Sequence, residues 1–501
     1  MLVSGAPARL ITFARSAQAR PAWIGFLGAT LIALGGLGAG STRLHDPMLE
    51  SVHLSWVRFG HGLVLSSVLL WTGVALMLGA WLWLGRMKLD ASGSADRAGE
   101  QSWTSAMITT TGFWLTPLLL SVPLFSRDTY SYLAQGALLR DGFDPYVVAP
   151  IENSNALLDN VSSIWTTTTA PYGPAFILVA KFVTMIVGEN VVAGTMLLRL
   201  CMLPGLILLI WAAPRLARHL GADGSTALWT CVLNPLVLVH LMGGVHNEML
   251  MVGLMMAGIA LTFARHPGSG VMLIAVAVAV KATAVLALPF MVWVWMRQIS
   301  GNRLRAFAIT TAGSLSILVA TFGILSWIAG VGLGWLTALA GSVKIVNWLT
   351  VPTAVANLAN AIGGLFATPN FYAILETTRL IGIGIIAVAL PLLWWRFRHT
   401  DREALAGIGW AMLVVVLFVP AALPWYYTWP LAVISPLAQS RASVAVIAGF
   451  STWIMVIFKP DGSHGMYSWL HVGLASGCAL GAWYWLRQQG LSKSVPTSAG
   501  P

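Results

Sequence analysis

The run Phe125-Ser-Arg-Asp-Thr-Tyr-Ser-Tyr132 follows directly on an apolar stretch and brings Asp128 to its polar edge. A carboxylate at a boundary between lipid and water has two uses: it caps the helix that follows, or it takes a proton from a bound hydroxyl. The acids continue through 125–171 with Asp141, Asp144, Glu152 and Asp159, mixed with Tyr130, Tyr146 and Trp165, and the segment leads into Pro171-Tyr-Gly-Pro174. Carboxylates accept from sugar hydroxyls and rings cover the apolar sugar face, so this mixture suits carbohydrate; a solvated loop ending in a Pro-rich turn is the plainer reading. Arg127, Tyr130, Asp144 and Tyr172 are the substrate-binding candidates of this segment.

Two cations stand inside apolar runs, Lys281 and Arg199. An ionisable group at membrane depth is costly and marks a functional site by default, unless it pairs with another buried group. With no carboxylate in the same runs, the two invite an anionic ligand such as a lipid phosphate; Arg199 also has Glu189 and Asp128 as possible partners. The turn Gly243-Gly-Val-His-Asn-Glu248 adds His246, Asn247 and Glu248. Its His and Glu are not spaced as in the His-Glu-x-x-His of zinc proteases, so no metal is expected there. The segment Pro424-Trp-Tyr-Tyr-Thr-Trp-Pro430 offers Trp425, Tyr426 and Tyr427, either as an interfacial aromatic belt or as a stacking surface for glycan.

The elements that must position these residues are helices in a bilayer. Of 501 residues, 57% are hydrophobic and 9% charged, far from the roughly 25% charged of soluble domains. The net charge of +11 falls in short clusters between apolar runs, which reads as a topology signal and not as a nucleic-acid surface. Cys201, Cys231 and Cys478 all fall within apolar runs with no redox or metal spacing. Arg9, Arg15 and Arg20 precede the run 21–40, which is long enough to be an uncleaved first helix.

The hydropathy predicts an all-α polytopic membrane protein with about twelve full spans, plus interfacial helices and a re-entrant hairpin. Spans are expected at 21–40, 58–84, 104–124, 191–212, 225–243, 248–264, 306–328, 374–395, 404–423, 428–439, 443–458 and 468–486. The stretch 172–187 is short and carries Lys181, and is read as an interfacial helix. The stretch 271–296 has arginines at both flanks, so both ends belong on one face; two half-length helices meeting near Lys281 satisfy that. The segment 89–102 is a solvated loop, 1–490 one membrane domain with the outward loop 125–171, and 491–501 a disordered tail. The positive-inside rule puts both termini in the cytoplasm and Asp128 outside.

Ser-Arg-Asp-Thr-Tyr-Ser-Tyr-Leu-Ala-Gln-Gly at 126–136, Ala-Pro-Tyr-Gly-Pro-Ala-Phe at 170–176, and the segments 243–248 and 424–430 together resemble the MptA-type mannosyltransferases, over nearly the whole chain. The resemblance implies a GT-C fold, a polyprenyl-phosphate-mannose donor and a lipid-anchored α-(1→6)-mannan acceptor, the backbone of lipomannan and lipoarabinomannan. It implies a multi-pass enzyme of the plasma membrane with an outward-facing site. Asp128 would be the catalytic acid of the early outward loop, although many members place that loop after the first helix and the first two helices here are read as an added pair, and Asp141 and Asp144 stand in reserve. Lys281, with Arg199 or His246, would hold the donor phosphate, and Asn247, Glu248, Tyr172, Trp425, Tyr426 and Tyr427 the sugars. With cationic side chains at hand no metal or other cofactor is called for. The competing class is a transporter or flippase of a lipid-linked sugar, against which stand the acidic outward loop and the lack of an internal repeat; a GT-C enzyme for another sugar or linkage is the third reading.

Overall fold

The computed structural model describes residues 13, 16–91, 97–338 and 344–488. Arg9, Arg15, residues 92–96 and the tail after Gly490 lie outside the described residues; the rest of 89–102, expected as a solvated loop, is helical, one helix running on to Ala91 and the next starting at Arg97. The described chain is all-helical, with about 77% of residues in helices and no strand; the nearest thing to one is an isolated bridge between Phe458 and His464.

The helices that frame the bundle and its sites are α1 (Ala19–Ala39), α2 (Gly60–Ala91), α3 (Arg97–Leu120), α4 (Asp128–Arg140), α5 (Pro174–Val187), α6 (Val191–His219), α7 (Glu248–Phe263), α8 (Pro267–Val280), α9 (Leu288–Arg297), α10 (Arg303–Ala329), α11 (Phe371–Arg396), α12 (Asp401–Phe418), α13 (Arg441–Ile457) and α14 (Trp469–Arg487), with a further helix at Val351–Gly363. Five of them, α1, α2, α6, α10 and α11, are long and apolar enough to cross a bilayer, and a bent pair, Gly224–Val232 with Leu236–Gly243, makes a sixth if it is one span. The twelve crossings counted from hydropathy include segments that end short of the roughly 20 residues a crossing needs, among them α7 and α13. Hydropathy registers an apolar run but not where its helix stops. The helix α5, at 14 residues, is about 21 Å long, well short of a crossing.

Small residues let α1 and α2 pack closely: a methyl group on Gly28 would collide with the backbone of Gly73 and Met77. Trp114 of α3 closes the group by donating its indole N–H to the Ala22 carbonyl at 2.9 Å. The bent pair is wound as π-helix on both sides of its break, and Asn234 repairs the break beside Pro235. Its side-chain amide donates to the Thr230 carbonyl at 3.0 Å and to Ser451 Oγ at 2.8 Å, and its Oδ1 accepts from the Leu236 N–H at 3.0 Å. Such repairs are what allow irregular backbone inside an apolar bundle.

The chain reverses at Lys281. That residue is extended, with φ −148° and ψ 127°, between α8 and a 3₁₀ turn, Ala282–Ala287, that leads into α9. Both ends of the pair return to Thr262 at the end of α7: Gly270 of α8 packs on it, and the Gln298 amide beyond α9 donates to its carbonyl at 2.7 Å. Lys281 therefore sits at the tip of a helical hairpin, carried into the bundle by two short arms.

Candidate active site

Asp128 opens α4 from a strained entry. Phe125 has φ 62° and Val245 φ 60°, a left-handed backbone that costs non-glycine residues of order 1–3 kcal/mol each. Three contacts pin these turns to each other and to a third loop: Leu124 N–H to the Gly243 carbonyl at 3.2 Å, Phe125 N–H to the Pro460 carbonyl at 2.8 Å, and Thr129 Oγ1 to the Val245 carbonyl at 3.5 Å. The carboxylate is 8% exposed and borders a cavity of about 300 Å³, lined by Arg127, Trp165, Lys344, Asn347, Trp425 and His464 among others. Burial, reinforced by the charge of Glu248, raises the Asp128 pKa to about 7; Lys281 and hydrogen bonds from Ser126 and Trp165 hold the rise back. It is a carboxylate poised near neutrality, where a general base works best.

Behind Asp128 a buried polar chain runs to the hairpin tip. His246 Nδ1 lies 3.8 Å from Asp128 Oδ2 and 4.0 Å from Glu248 Oε2, with Tyr132 Oη at 3.4 Å. Its ring stacks on Trp425, centroids 3.8 Å apart, and burial holds its pKa well below the usual value, so it is a neutral imidazole. Glu248 forms an ion pair with Lys281, and Lys281 Nζ faces the rings of Tyr426 at 4.4 Å, Trp429 at 5.2 Å and Tyr172 at 5.8 Å. The Pro-Tyr-Gly-Pro turn reaches this cage because the Gly173 N–H donates to the Val280 carbonyl at 3.2 Å. A side chain at Gly173 would collide with Ala279. Several buried polar atoms of the chain have no partner, including His246 Nε2, Glu248 Oε2 and both side-chain polar atoms of Asn247.

The structure thus gathers Asp128, His246, Asn247, Glu248, Lys281, Tyr172, Trp425 and Tyr426, and gives other candidates different tasks. Lys281 is not an unmatched cation, because Glu248 reaches it from the turn at 243–248. Arg199 donates to the carbonyls of Met242 at 3.0 Å, Leu119 at 2.7 Å and Gly243 at 3.1 Å; it is buried and ties α3 and the bent pair to α6. Arg127 touches the cavity, but its fork donates to the carbonyls of Thr42 and Asn160, both at 2.9 Å. Tyr130 donates to the Ser41 carbonyl at 2.6 Å and Tyr427 to that of Leu349 at 2.6 Å. Asp144 accepts from the Tyr146 N–H at 2.9 Å beyond the far end of α4, and Asp141 at that end lies about 20 Å along the helix axis from Asp128.

Sequence reasoning passed over Lys344, Asn347, Trp429 and His240. His240 carried a usable signal, being an ionisable residue in an apolar run; Lys344 carried none, since it joins the cavity only through tertiary packing. Its Nζ contacts Thr168 Oγ1 at 2.9 Å and Thr167 Oγ1 at 3.4 Å, and no carboxylate pairs with it among the described residues.

A helical membrane-type chain with a buried near-neutral carboxylate over a sugar-sized cavity is the arrangement of a membrane-associated glycosyltransferase. Residues 22–297 match the family described as alpha-(1->6)-mannopyranosyltransferase, N-terminal domain, and residues 352–488 the MptB C-terminal domain. The chain is 69% identical to alpha-(1->6)-mannopyranosyltransferase A of Mycobacterium tuberculosis, over 95% of this chain and 91% of that one. It is 34% identical to the A enzyme of Corynebacterium glutamicum, over 89% and 94%, and 31% identical to the B enzyme of that organism, over 88% and 77%. The chain belongs to the MptA/MptB family of mannosyltransferases.

Proposed function

We propose that this protein is an inverting GT-C mannosyltransferase that moves mannose from polyprenyl-phosphate-mannose to the 6-hydroxyl of a growing α-(1→6)-mannan. The acceptor is the lipid-anchored backbone of lipomannan and lipoarabinomannan, and the reaction takes place at the outer face of the plasma membrane. The observation that carries the reading is the Asp128 carboxyl, buried at the cavity with a pKa of about 7.

The donor linkage is β and the product linkage α, so one displacement inverts the anomeric carbon. The acceptor O6 forms its bond to C1 while the bond from C1 to the phosphate oxygen breaks, and the O6 proton passes to Asp128. Such a positioned base contributes about 10²–10⁴-fold. The phosphate leaves with the bonding pair, and Lys344 on the cavity wall is the cation free of carboxylates that can meet it. Lys281, neutralised by Glu248 and enclosed by rings, instead holds Glu248 and His246 in register behind Asp128. Trp165 and Trp425 supply apolar walls for sugar rings, and about 300 Å³ is at the low end of small-ligand sites.

The test supplies membranes containing the protein with labelled polyprenyl-phosphate-mannose and an α-(1→6)-oligomannoside, followed by linkage analysis of the product. Asp128→Asn is expected to lose at least about 10²-fold in transfer with normal insertion. Full transfer by that variant would remove Asp128 as the base. Wild-type protein that moved lipid-linked sugar across vesicles and transferred none would overturn the enzyme reading.

A further inference from the structure

A large cavity lies at the other end of the hairpin from Lys281. About 900 Å³ in volume, it is bounded by the end of α9, the start of α10 and the end of α11, and lined by Trp293, Arg297, Arg303, Trp394, Arg398 and His399 among others. Its aromatic wall is fixed. Trp293 stacks on Trp394 at 4.8 Å and on Phe307 at 5.0 Å, while the indole N–H groups donate to backbone carbonyls, Trp293 to Trp394 at 3.2 Å and Trp394 to Pro289 at 2.9 Å. Its polar side is basic, and no carboxylate lines it.

The basic groups differ in how far they are committed. Arg297 pairs with Asp401 at 2.6 Å and donates to the Arg398 carbonyl at 2.7 Å. Arg398 lies over the Trp395 ring at 3.9 Å and donates to the Trp395 carbonyl; it has no carboxylate partner among the described residues. Arg303 has neither an ion pair nor a side-chain hydrogen bond among them. Around the rim Leu304 is 78% and Trp395 57% exposed, an apolar margin beside the arginines. A pocket with arginines at its mouth, fixed aromatic rings behind them and an apolar margin is complementary to an amphiphile: guanidinium forks bind phosphate oxygens in pairs, and basic pockets between membrane helices bind anionic head groups.

We propose that this cavity is a second lipid site, for a lipid whose head group carries a net-anionic phosphate, on the membrane face opposite Asp128. The phosphate sits between Arg303 and Arg398, and the start of the hydrocarbon lies along Leu304 and Trp395. The site is independent of the mannosyl donor's reacting phosphate, which belongs at the Asp128 end of the hairpin. A phospholipid and a polyprenyl phosphate share this chemistry, and the experiment separates them.

Purified full-length protein is stripped of lipid in mild detergent and given phosphatidylglycerol, polyprenyl phosphate, zwitterionic phosphatidylcholine or inorganic phosphate. Bound lipid is counted by native mass spectrometry and thermal unfolding is followed in parallel. Phosphatidylglycerol or polyprenyl phosphate, or both, should be retained and raise the melting temperature well beyond phosphatidylcholine, and the better of the two names the source. Arg303→Gln with Arg398→Gln should weaken retention about tenfold or more, as expected for two surface charges near a phosphate, with mannosyl transfer from saturating donor unchanged. Arg303→Gln alone, at an exposed residue with no side-chain partner among the described residues, keeps the test open if the double variant folds poorly; it should weaken retention severalfold. Equal retention of all the lipids, retention unaltered in a folded variant, or an equal response to inorganic phosphate would each overturn the lipid site.

Discussion

As the proposed base, Asp128 would give the site a pH dependence with a definite sign. A base works only when ionised, and with the pKa raised to about 7 the ionised fraction falls about tenfold for each pH unit below that value. Transfer, measured as kcat/KM, is expected to rise with pH up to about 7 and then level. The indole of Trp165, on the same cavity wall as Asp128, holds the carboxyl pKa down, so Trp165→Phe should push the acid limb to higher pH and leave the plateau largely in place. A uniform loss with an unmoved limb would mean that Trp165 only packs.

The next scale is the element, where the hairpin meets the turn before α7. Glu248 and Lys281 come from different elements and meet at a fully buried carboxylate. Breaking such a pair leaves one charge stranded, at a cost of about 3–5 kcal/mol. Glu248→Gln should therefore lower the unfolding temperature strongly, and adding Lys281→Met should restore much of the loss; strictly additive losses would show that the two do not couple. Arg199 works at this scale too, as a clamp on three carbonyls. A lysine has one point of donation where arginine has a fork, so Arg199→Lys should lower the melting temperature and leave the donor KM of the folded fraction alone. A raised donor KM at unchanged stability would return Arg199 to phosphate binding.

The same residues mark how far the sequence was legible. The break at Lys281 could be read from arginines at both flanks of one apolar run, because charge placement in membrane proteins follows a simple rule. Asp128, Tyr172, Glu248 and Trp425 stood out as polar or aromatic residues in distinctive turns, and they do converge. What could not be read was who pairs with whom. Glu248 was assigned to sugar and Lys281 to phosphate, yet the two bind each other across 33 positions of sequence, and Tyr130 and Tyr427 spend their hydroxyls on backbone carbonyls. Nor does an apolar run disclose its helix length, as the short α7 and the π-wound, bent segment before it show.

Across the whole molecule, the two ends of the bundle differ in charge and in what ties them together. At one end polar contacts join distant helices: Asp401 pairs with Arg297 and lies 2.8 Å from the His219 ring nitrogen, Arg86 and Arg441 share Asp90, Arg218 meets Glu100 at 2.9 Å and Lys88 meets Asp223 at 2.8 Å. Arg303, Arg305, Arg396 and Arg402 add charge at the ends of their helices close by. The other end holds Asp128 and the acidic segment 125–171. Short loops rich in Lys and Arg tend to stay in the cytoplasm, so the orientation that goes with the proposed function has the arginine end facing inward and the Asp128 cavity outward. The orientation is testable in a variant with Cys201, Cys231 and Cys478 replaced by serine. A cysteine at Val147, which is 73% exposed, should react with a membrane-impermeant maleimide in intact cells, and a cysteine at the exposed Arg305 only after permeabilisation. The reverse pattern would put Asp128 inside the cell, and with it any donor the enzyme uses would have to be presented from the cytoplasmic leaflet.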